Sequence, residues 1–355
     1  MELSLFQRKE PVMVGVDISS ASVKLLELSH GPQGYRVESY ALEAIPADVM
    51  QEKEIKNLEA LGMAVERAVK RSHTKIKNAA IAVSGSAVFT KVIQMNASLK
   101  GNELLAQIQL EAERYIPHPL DEVNIDFQVL GTGKNADSVD VFLAASRTEL
   151  IDNLVEILNI GGLTAKVVDI EAYSLERSYR LIADQLPTHK EHQTIAIIDV
   201  GAITTNFSVL RDNITIYTRE QIFGGKQLIE EIQRRFGLTY EEALWGMKQG
   251  GLPDNYVPEL LEPFKEAIIQ QIRRALQLFF SASQVTEVDH IVLAGGTVTI
   301  PGLAQHVTDK LGITALIANP FVNMSIAPRV SVAALHADAP ALMICCGLAL
   351  RSFMK

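Results

Sequence analysis

Short apolar runs and amphipathic stretches alternate along the chain, and the same order of elements occurs twice. The apolar run at residues 12–16 ends in Asp17 and is followed by a strand, a turn, a second strand and a helix-period stretch at 53–72. The run at residues 195–198 ends in Asp199 and is followed by two further strand patterns, Gly224-Gly225 and a helix. The pattern predicts an α/β protein with two similar halves.

Polar residues after the first strand of each half can be aligned. The aligned pairs are Asp17 with Asp199, Ser19 with Gly201, Ser22 with Thr204, and Lys24 with Asn206. A carboxylate at the end of a buried strand is costly unless a partner such as a hydrated metal ion neutralises it. Either motif alone is also consistent with an ordinary strand end, but the two together, in the same order of elements, favour paired ligand-binding turns.

Residues 87–162 read as strand, helix, strand, strand and helix, which predicts a small α+β insertion in the first half. The Gly131-Thr132-Gly133 stretch loosely matches a dinucleotide fingerprint, but a strand follows it, so we expect a hairpin loop. Polar residues 184–193 mark the expected linker between the halves. Later, a strand at 289–294 runs into Gly295-Gly296-Thr297, which offers a flat backbone surface for a base or a phosphate.

Composition narrows the class of protein. A length of 355 residues predicts two domains, and a net charge of -9 argues against non-specific binding to nucleic acid. The only cysteines, Cys345 and Cys346, are adjacent in an apolar run and are expected to be buried thiols of a reducing cytosol.

The most apolar run, 339–350, is too short for a membrane span. Leu3, Leu5 and Phe6 either touch a membrane or partner, or belong to a frayed terminus.

Three stretches carry a family resemblance. Asp17-Ile18-Ser19-Ser20-Ala21-Ser22-Val23-Lys24 resembles the first phosphate motif of the actin, hexokinase and sugar-kinase superfamily. Asp199-Val200-Gly201-Ala202-Ile203-Thr204-Thr205 resembles the second, and Leu293-Ala294-Gly295-Gly296-Thr297 with Pro301-Gly302 resembles the adenosine motif. The position of the insertion resembles FtsA, and the two ends of the chain resemble the FtsA-like proteins of type IV pilus assembly. The resemblance implies an actin-like (ribonuclease H-like, duplicated) two-lobed ATPase fold of the FtsA type.

The resemblance also implies ATP and Mg²⁺ between the lobes, with Asp17 and Asp199 holding the metal. The residues expected at the phosphates are Ser19, Ser20, Ser22, Lys24, Gly201, Thr204, Thr205 and Asn206. Those expected around the ribose and base are Gly224, Gly225, Glu230, Arg234, Gly295, Gly296 and Thr297. Ser19 and Ser20 stand where most of the superfamily has glycine. Glu171 is the candidate for activating water, without a clear motif match, so we expect weak or no ATP hydrolysis.

The expected subdomains are 1A (1–86, 163–193 and 326–355), 1C (87–162), 2A (194–225 and 285–325) and 2B (226–284). The implied partners are the cytoplasmic N-terminal peptide of the inner-membrane protein PilN, other inner-membrane platform proteins and pilus motor ATPases, with no nucleic acid and no membrane span. We expect a cytoplasmic protein held at the bacterial inner membrane by its partner. The alternatives are a self-associating, filament-forming division protein like FtsA and a small-molecule kinase of the superfamily.

Overall fold

The computed structural model describes residues 12–46, 49–51, 54–133, 135, 137–187 and 192–354. The Leu3-Leu5-Phe6 segment and His189 of the expected linker lie outside these residues. The strands are β1 (Val14–Ile18), β2 (Ser22–Gly31), β3 (Gly34–Ala44), β4 (Met50–Gln51), β5 (Glu54–Ile55), β6 (Asn78–Val83), β7 (Val88–Asn96), β8 (Val123–Thr132), β9 (Ser138–Arg147), β10 (Thr164–Ile170), β11 (Thr194–Val200), β12 (Thr204–Arg211), β13 (Ile214–Ile222), β14 (His290–Ala294), β15 (Thr314–Ile317) and β16 (Ser325–Ile326).

The α-helices are α1 (Leu58–Ser72), α2 (Gly101–Ala112), α3 (Thr148–Ile160), α4 (Glu171–Tyr179), α5 (Lys226–Phe236), α6 (Tyr240–Gln249), α7 (Glu262–Ala282), α8 (Leu303–Leu311), α9 (Val332–Asp338) and α10 (Met343–Ala349). A π-helical turn, Val257–Leu261, directly precedes α7. Helix α4 ends at Tyr179.

Each half is built on a sheet of the same layout. The first sheet has the order β10-β6-β1-β2-β3-β16, and the second has the order β13-β12-β11-β14-β15. In both, a central strand pairs antiparallel with the next strand of the chain and parallel with a strand that returns after a crossover. All of β11 is buried except Asp199, as expected for a strand covered on both faces. The duplication predicted from the two strand-Asp motifs is therefore present in the strand order.

The two halves share a continuous core. One cluster of buried residues joins Ala80 of the first sheet, Ile195 of the second, and Leu175 and Met343 of helices α4 and α10. Helix α10 passes very close to α4, because a Cβ at Gly347 would lie 1.9 Å from the Ser174 carbonyl oxygen. Helices α4 and α10 thus fill the space between the sheets.

The insertion is smaller than residues 87–162. Strands β7, β9 and β8 form a separate sheet whose apolar face packs against α2. Helix α3 instead buries Leu154, Ile157 and Leu158 in the core of the first half, beside α1. A Cβ at Gly62 of α1 would lie 2.5 Å from the Ile160 side chain. The packing therefore ends the insertion near residue 147, because the apolar face of α3 belongs to the first lobe.

Two further expectations change with tertiary packing. The expected linker begins with the 3-10 turn Ala183–Gln185, and Leu186 beside it is buried in the shared core, so this part of the linker is not solvated. The apolar C-terminal region forms one helical segment, Val332–Phe353, which is long and apolar enough to cross a membrane. However, 61% of its most apolar window is buried inside the fold, which identifies it as a core helix.

Candidate functional site

Asp17 and Lys24 form a buried ion pair at the end of the first sheet. They face each other in the β1–β2 register, and Lys24 Nζ donates to Asp17 Oδ2 at 2.7 Å. The two residues are 5% and 9% exposed. Burial lowers the pKa of Lys24, but the charge of Asp17, its hydrogen bond and the charge of Asp199 act against it, and the pKa ends above its usual value. The lysine therefore interacts with aspartates from both halves.

The turns after Asp17 and Asp199 have the same backbone geometry. Ser19 N donates to Ser22 O at 2.9 Å, and Gly201 N donates to Thr204 O at 2.9 Å. The register also matches, since Asp17 faces Lys24 while Asp199 faces Asn206. The alignment made from the sequence is thus reproduced by one equivalent backbone hydrogen bond and by the strand register.

The glycine motifs of the second half meet at Gly201. Gly225 N and Thr297 Oγ1 both donate to the Gly201 carbonyl oxygen, at 3.0 and 2.8 Å. Gly295 has a φ of +91°, and a Cβ there would lie 2.5 Å from Asp199 Oδ1. A Cβ at Gly296 would meet only Ala341, at 3.9 Å, so this glycine leaves space on its surface. Three motifs far apart in the chain thus form one wall beside Asp199.

Glu171 connects the first half to this wall. It opens α4, and its Oε2 accepts a hydrogen bond from Asn206 Nδ2 at 3.3 Å. The structure therefore places the candidate water-activating residue against the second phosphate motif.

Three expected contact residues are used differently. Thr205 is 2% exposed and its hydroxyl donates to Phe223 O at 2.8 Å, so the side chain faces the core rather than the turn. On α5, Glu230 lies 3.8 Å from Lys226, and Arg234 pairs with Glu231 on the surface of the helix. The hydrogen bonds and ion pairs of the described residues do not link Glu230 or Arg234 to the glycine motifs.

Lys265 is a residue that the sequence analysis missed. It is buried on α7, and its Nζ pairs with Glu262 Oε1 at 2.8 Å. The same Nζ lies 4.0 Å from the position of a Cβ at Gly302, next to the adenosine-like motif. Its neighbour Phe264 stacks on Phe223 with ring centroids 5.6 Å apart. The sequence did contain a signal for Lys265, because it is a lysine within an otherwise apolar helical stripe.

The donor set fits a hydrated magnesium ion bound together with phosphate. Among the described residues no group of three or more His, Cys, Asp and Glu side chains is placed to hold a metal. Mg²⁺ usually keeps several waters and takes one or two carboxylates plus substrate phosphates. Asp17 and Asp199 supply two carboxylates, and a lysine ammonium can donate three hydrogen bonds, of which Asp17 takes one.

A family model described as type IV pilus assembly protein PilM matches residues 15–353, nearly the whole chain. The chain belongs to the PilM family. Its structure is similar to the PilM of a PilM-PilN type IV pilus biogenesis complex, with a TM-score of 0.80, 26% identity, and coverage of 98% of this chain and 100% of that chain. The resemblance to FtsA-like pilus assembly proteins drawn from the sequence is confirmed.

More distant structures share the PilM-type fold. The ethanolamine utilization protein EutJ from Carboxydothermus hydrogenoformans gives a TM-score of 0.56 at 15% identity, covering 96% of this chain and 89% of its own. The archaeal actin homolog Ta0583, solved in complex with ADP, gives 0.52 at 12% identity, covering 97% and 100%. These similarities confirm the predicted actin-like ATPase fold.

Proposed function

We propose that this protein binds Mg-ATP between its lobes and docks the cytoplasmic N-terminal peptide of PilN, as an assembly protein at the bacterial inner membrane. The observation that carries the nucleotide part is the pair of equivalent turns, Ser19–Ser22 and Gly201–Thr204, each following an aspartate whose charge acts on Lys24. Two such turns, together with one lysine and two aspartates, provide the donors and carboxylates that bind a triphosphate and its Mg²⁺ ion.

Each motif has a role in this proposal. Asp17 and Asp199 hold Mg²⁺ through water, and the Mg²⁺ neutralises phosphate charge. Lys24 and the two turns donate to phosphate oxygens. The wall of Gly224, Gly225 and Gly295 to Thr297 faces the ribose and base, with Lys265 nearby. The contacts of Glu230 and Arg234 do not support a role for these two residues at the ribose or base.

ATP acts mainly as a structural ligand in this account. A ligand that binds only the folded state stabilises it by mass action without turnover. Glu171 accepts a hydrogen bond from Asn206, and this position suits holding a water, but the sequence around it lacks a clear catalytic motif. Steady phosphate release near the common enzyme rate of about 10 s⁻¹ by the purified protein alone would refute this role.

Calorimetric titration with Mg-ATP tests the nucleotide site. We expect saturable binding to the parent protein and a loss of at least about tenfold in affinity for Asp199→Ala, since one of the two carboxylates proposed to hold Mg²⁺ is removed. Asp152→Ala, on the exposed face of α3, is the matched control and should bind like the parent. Equal binding by a folded Asp199→Ala protein would contradict the assignment.

The partner site is proposed at the face of the insertion sheet opposite α2, where the sheet meets α4 of the first lobe. Phe142 on this face makes an edge-to-face contact with Tyr173 of α4, with ring centroids 5.5 Å apart. Val92 is paired with Phe142 in the β7–β9 register and is 51% exposed. Strands β7 and β8 are the edges of this sheet, so an extended peptide can add beside one of them with apolar side chains against Val92 and Phe142.

Docking of the PilN peptide would hold this protein at the cytoplasmic side of the inner membrane. It explains how the protein acts there although its apolar C-terminal helix is buried in the fold.

The test is a labelled peptide carrying the N-terminal residues of PilN, titrated against the parent, Val92→Glu and Leu110→Glu. Leu110 is 54% exposed on α2, which covers the opposite face, so its change should leave binding unaltered. We expect Val92→Glu to weaken binding at least about tenfold. Equal weakening by both variants, or no binding to the parent, would refute the site.

The other expected partners, inner-membrane platform proteins and motor ATPases, remain proposals of the same kind.

A further inference from the structure

The end of the first sheet opposite Asp17 carries three exposed lysines. Strands β1, β6 and β10 are parallel and begin at this end. Lys77 directly precedes β6, and its carbonyl oxygen accepts a hydrogen bond from Thr164 N of β10 at 2.7 Å. Lys166 lies at the bulge of β10, and Lys75 lies two residues before Lys77. None of these lysines forms an ion pair with a described residue, so their charges face solvent.

Apolar and aromatic side chains lie at the same end of the sheet, on strands β1 to β3. Val12 comes two residues before β1 and is 41% exposed. His30 and Tyr35 flank the β2–β3 turn with ring centroids 4.7 Å apart, and the Phe353 ring lies 5.6 Å from that of Tyr35. Met354, which follows Phe353, is 40% exposed. Because the strand order is β10-β6-β1-β2-β3, this apolar surface adjoins the lysines.

We name this surface the terminal edge, because the two ends of the described chain meet there. Met13 N donates to Ser352 Oγ at 2.8 Å, and this hydroxyl donates to Met13 O at 3.1 Å. The terminal edge consists of Val12, His30, Tyr35, Lys75, Lys77, Lys166, Phe353 and Met354. The sequence before Val12 has the same mixture of apolar and basic side chains: Leu3, Leu5, Phe6, Arg8 and Lys9. The proposed function uses neither the edge nor these residues.

The charge of the terminal edge differs from that of the whole chain, whose net charge is -9. The carboxylate of Glu38 lies at this end of the sheet, but it already accepts from Ser29 Oγ at 2.7 Å and lies 3.7 Å from Arg36 Nε. Exposed lysines beside apolar and aromatic side chains are typical of a surface that rests on anionic lipid headgroups. A nucleic acid would attract the lysines but would offer no apolar phase to the other side chains.

We propose that the terminal edge, together with residues 3–9, binds the surface of an anionic phospholipid bilayer. The choice of a bilayer rests on the proposed function, which brings the chain to the inner membrane, but the contact itself does not need PilN. Asp17 lies near the other end of β1, so the nucleotide motifs face away from the bilayer. Contact with headgroups is weak and reversible, and it raises the concentration of the protein near the PilN peptide.

The experiment measures co-sedimentation of the 355-residue protein, without PilN peptide, with vesicles of phosphatidylglycerol and phosphatidylethanolamine in equal parts. Each lysine near an anionic surface contributes about fivefold to the binding constant. We therefore expect at least about a tenfold loss for the edge variant, which combines Lys75→Glu, Lys77→Glu and Lys166→Glu. Binding should be weak to vesicles of neutral phosphatidylcholine and should fall as NaCl rises from about 0.05 to about 0.5 M, because salt screens the lysines.

A second variant tests the sequence before Val12. Serine in place of Leu3, Leu5 and Phe6 removes apolar surface that would enter the interface, so the binding constant should again fall at least about tenfold. These substitutions leave the charge of the protein unchanged, so the salt dependence of the remaining binding should persist.

The matched control reverses three exposed basic residues away from the terminal edge, which changes the net charge as much as the edge variant does: Lys100→Glu, Arg147→Glu and Arg274→Glu. It should bind the anionic vesicles within about twofold of the parent, because distant charges are screened. No binding by the parent, equal weakening in the control, or undiminished binding in the edge or serine variant, each folded by circular dichroism, overturns the inference. Failure of the parent to bind the PilN peptide in a titration without vesicles overturns the proposed docking instead.

Discussion

Replacing Lys24 by methionine should destabilise the protein far more than removing an ordinary surface charge. The lysine is buried and bonded to Asp17, and the charge of Asp199 also acts on it, so its loss leaves the buried Asp17 carboxylate without its cation. Removing one partner of a buried ion pair costs about 3–5 kcal/mol, because the remaining charge stays desolvated. The free energy of unfolding from urea denaturation, followed by circular dichroism, should fall by that amount.

The control for this measurement is Lys70→Met, which removes the exposed Lys70–Glu66 pair of α1. Exposed helical ion pairs contribute about 0.3–0.5 kcal/mol to the free energy of unfolding, so the two variants should differ about tenfold in their effect on it.

The pKa of Lys24 is raised in the fold, so the stability that Lys24 contributes is fully present below the usual lysine pKa of about 10.4 and is lost only above it. The difference should therefore be constant between roughly pH 6 and 9. A Lys24→Met protein as stable as Lys70→Met would refute the stabilising role of the buried Asp17–Lys24 pair.

Three further predictions follow from close packing at the helices and the site. Gly347→Ala should lower the melting temperature by several degrees or prevent folding, because its Cβ would lie 1.9 Å from Ser174 O. Gly295→Ala should abolish Mg-ATP binding in calorimetry, because its φ is +91° and its Cβ would meet Asp199 Oδ1. Burial raises the pKa of the Cys345 thiol well above its usual value and that of Cys346 to about 12, so a thiol reagent at neutral pH should label both only in denaturant.

The local sequence was enough to predict the duplicated turns. A strand, an acidic residue, a small residue and a hydroxyl lie within a few residues of one another, so Asp17 with Ser22 and Asp199 with Thr204 could be aligned by spacing. The structure then gives both turns the same hydrogen bond. The glycine pairs were recognisable for the same reason, since Gly295 directly follows a strand and Gly224 comes two residues after one.

Contacts between distant segments were not predictable. Helix α3 carries an ordinary amphipathic pattern, and nothing in it shows that the partner is α1 rather than the insertion sheet. Thr205 has the same hydroxyl as Thr204, but strand alternation turns it toward Phe223 and the core. The link from Asn206 to Glu171 spans 35 residues of sequence and depends on how the lobes pack, which no local pattern contains.

A crystal structure of the protein with Mg²⁺ and a non-hydrolysable ATP analogue tests the central claim most directly. The account predicts phosphate oxygens within hydrogen-bond distance of the Ser19–Ser22 and Gly201–Thr204 turns and of Lys24 Nζ. It also predicts the metal between Asp17 and Asp199, and the base against Gly295 to Thr297. An analogue bound elsewhere at full occupancy, with no phosphate oxygen in contact with Lys24 or the two turns, would contradict it.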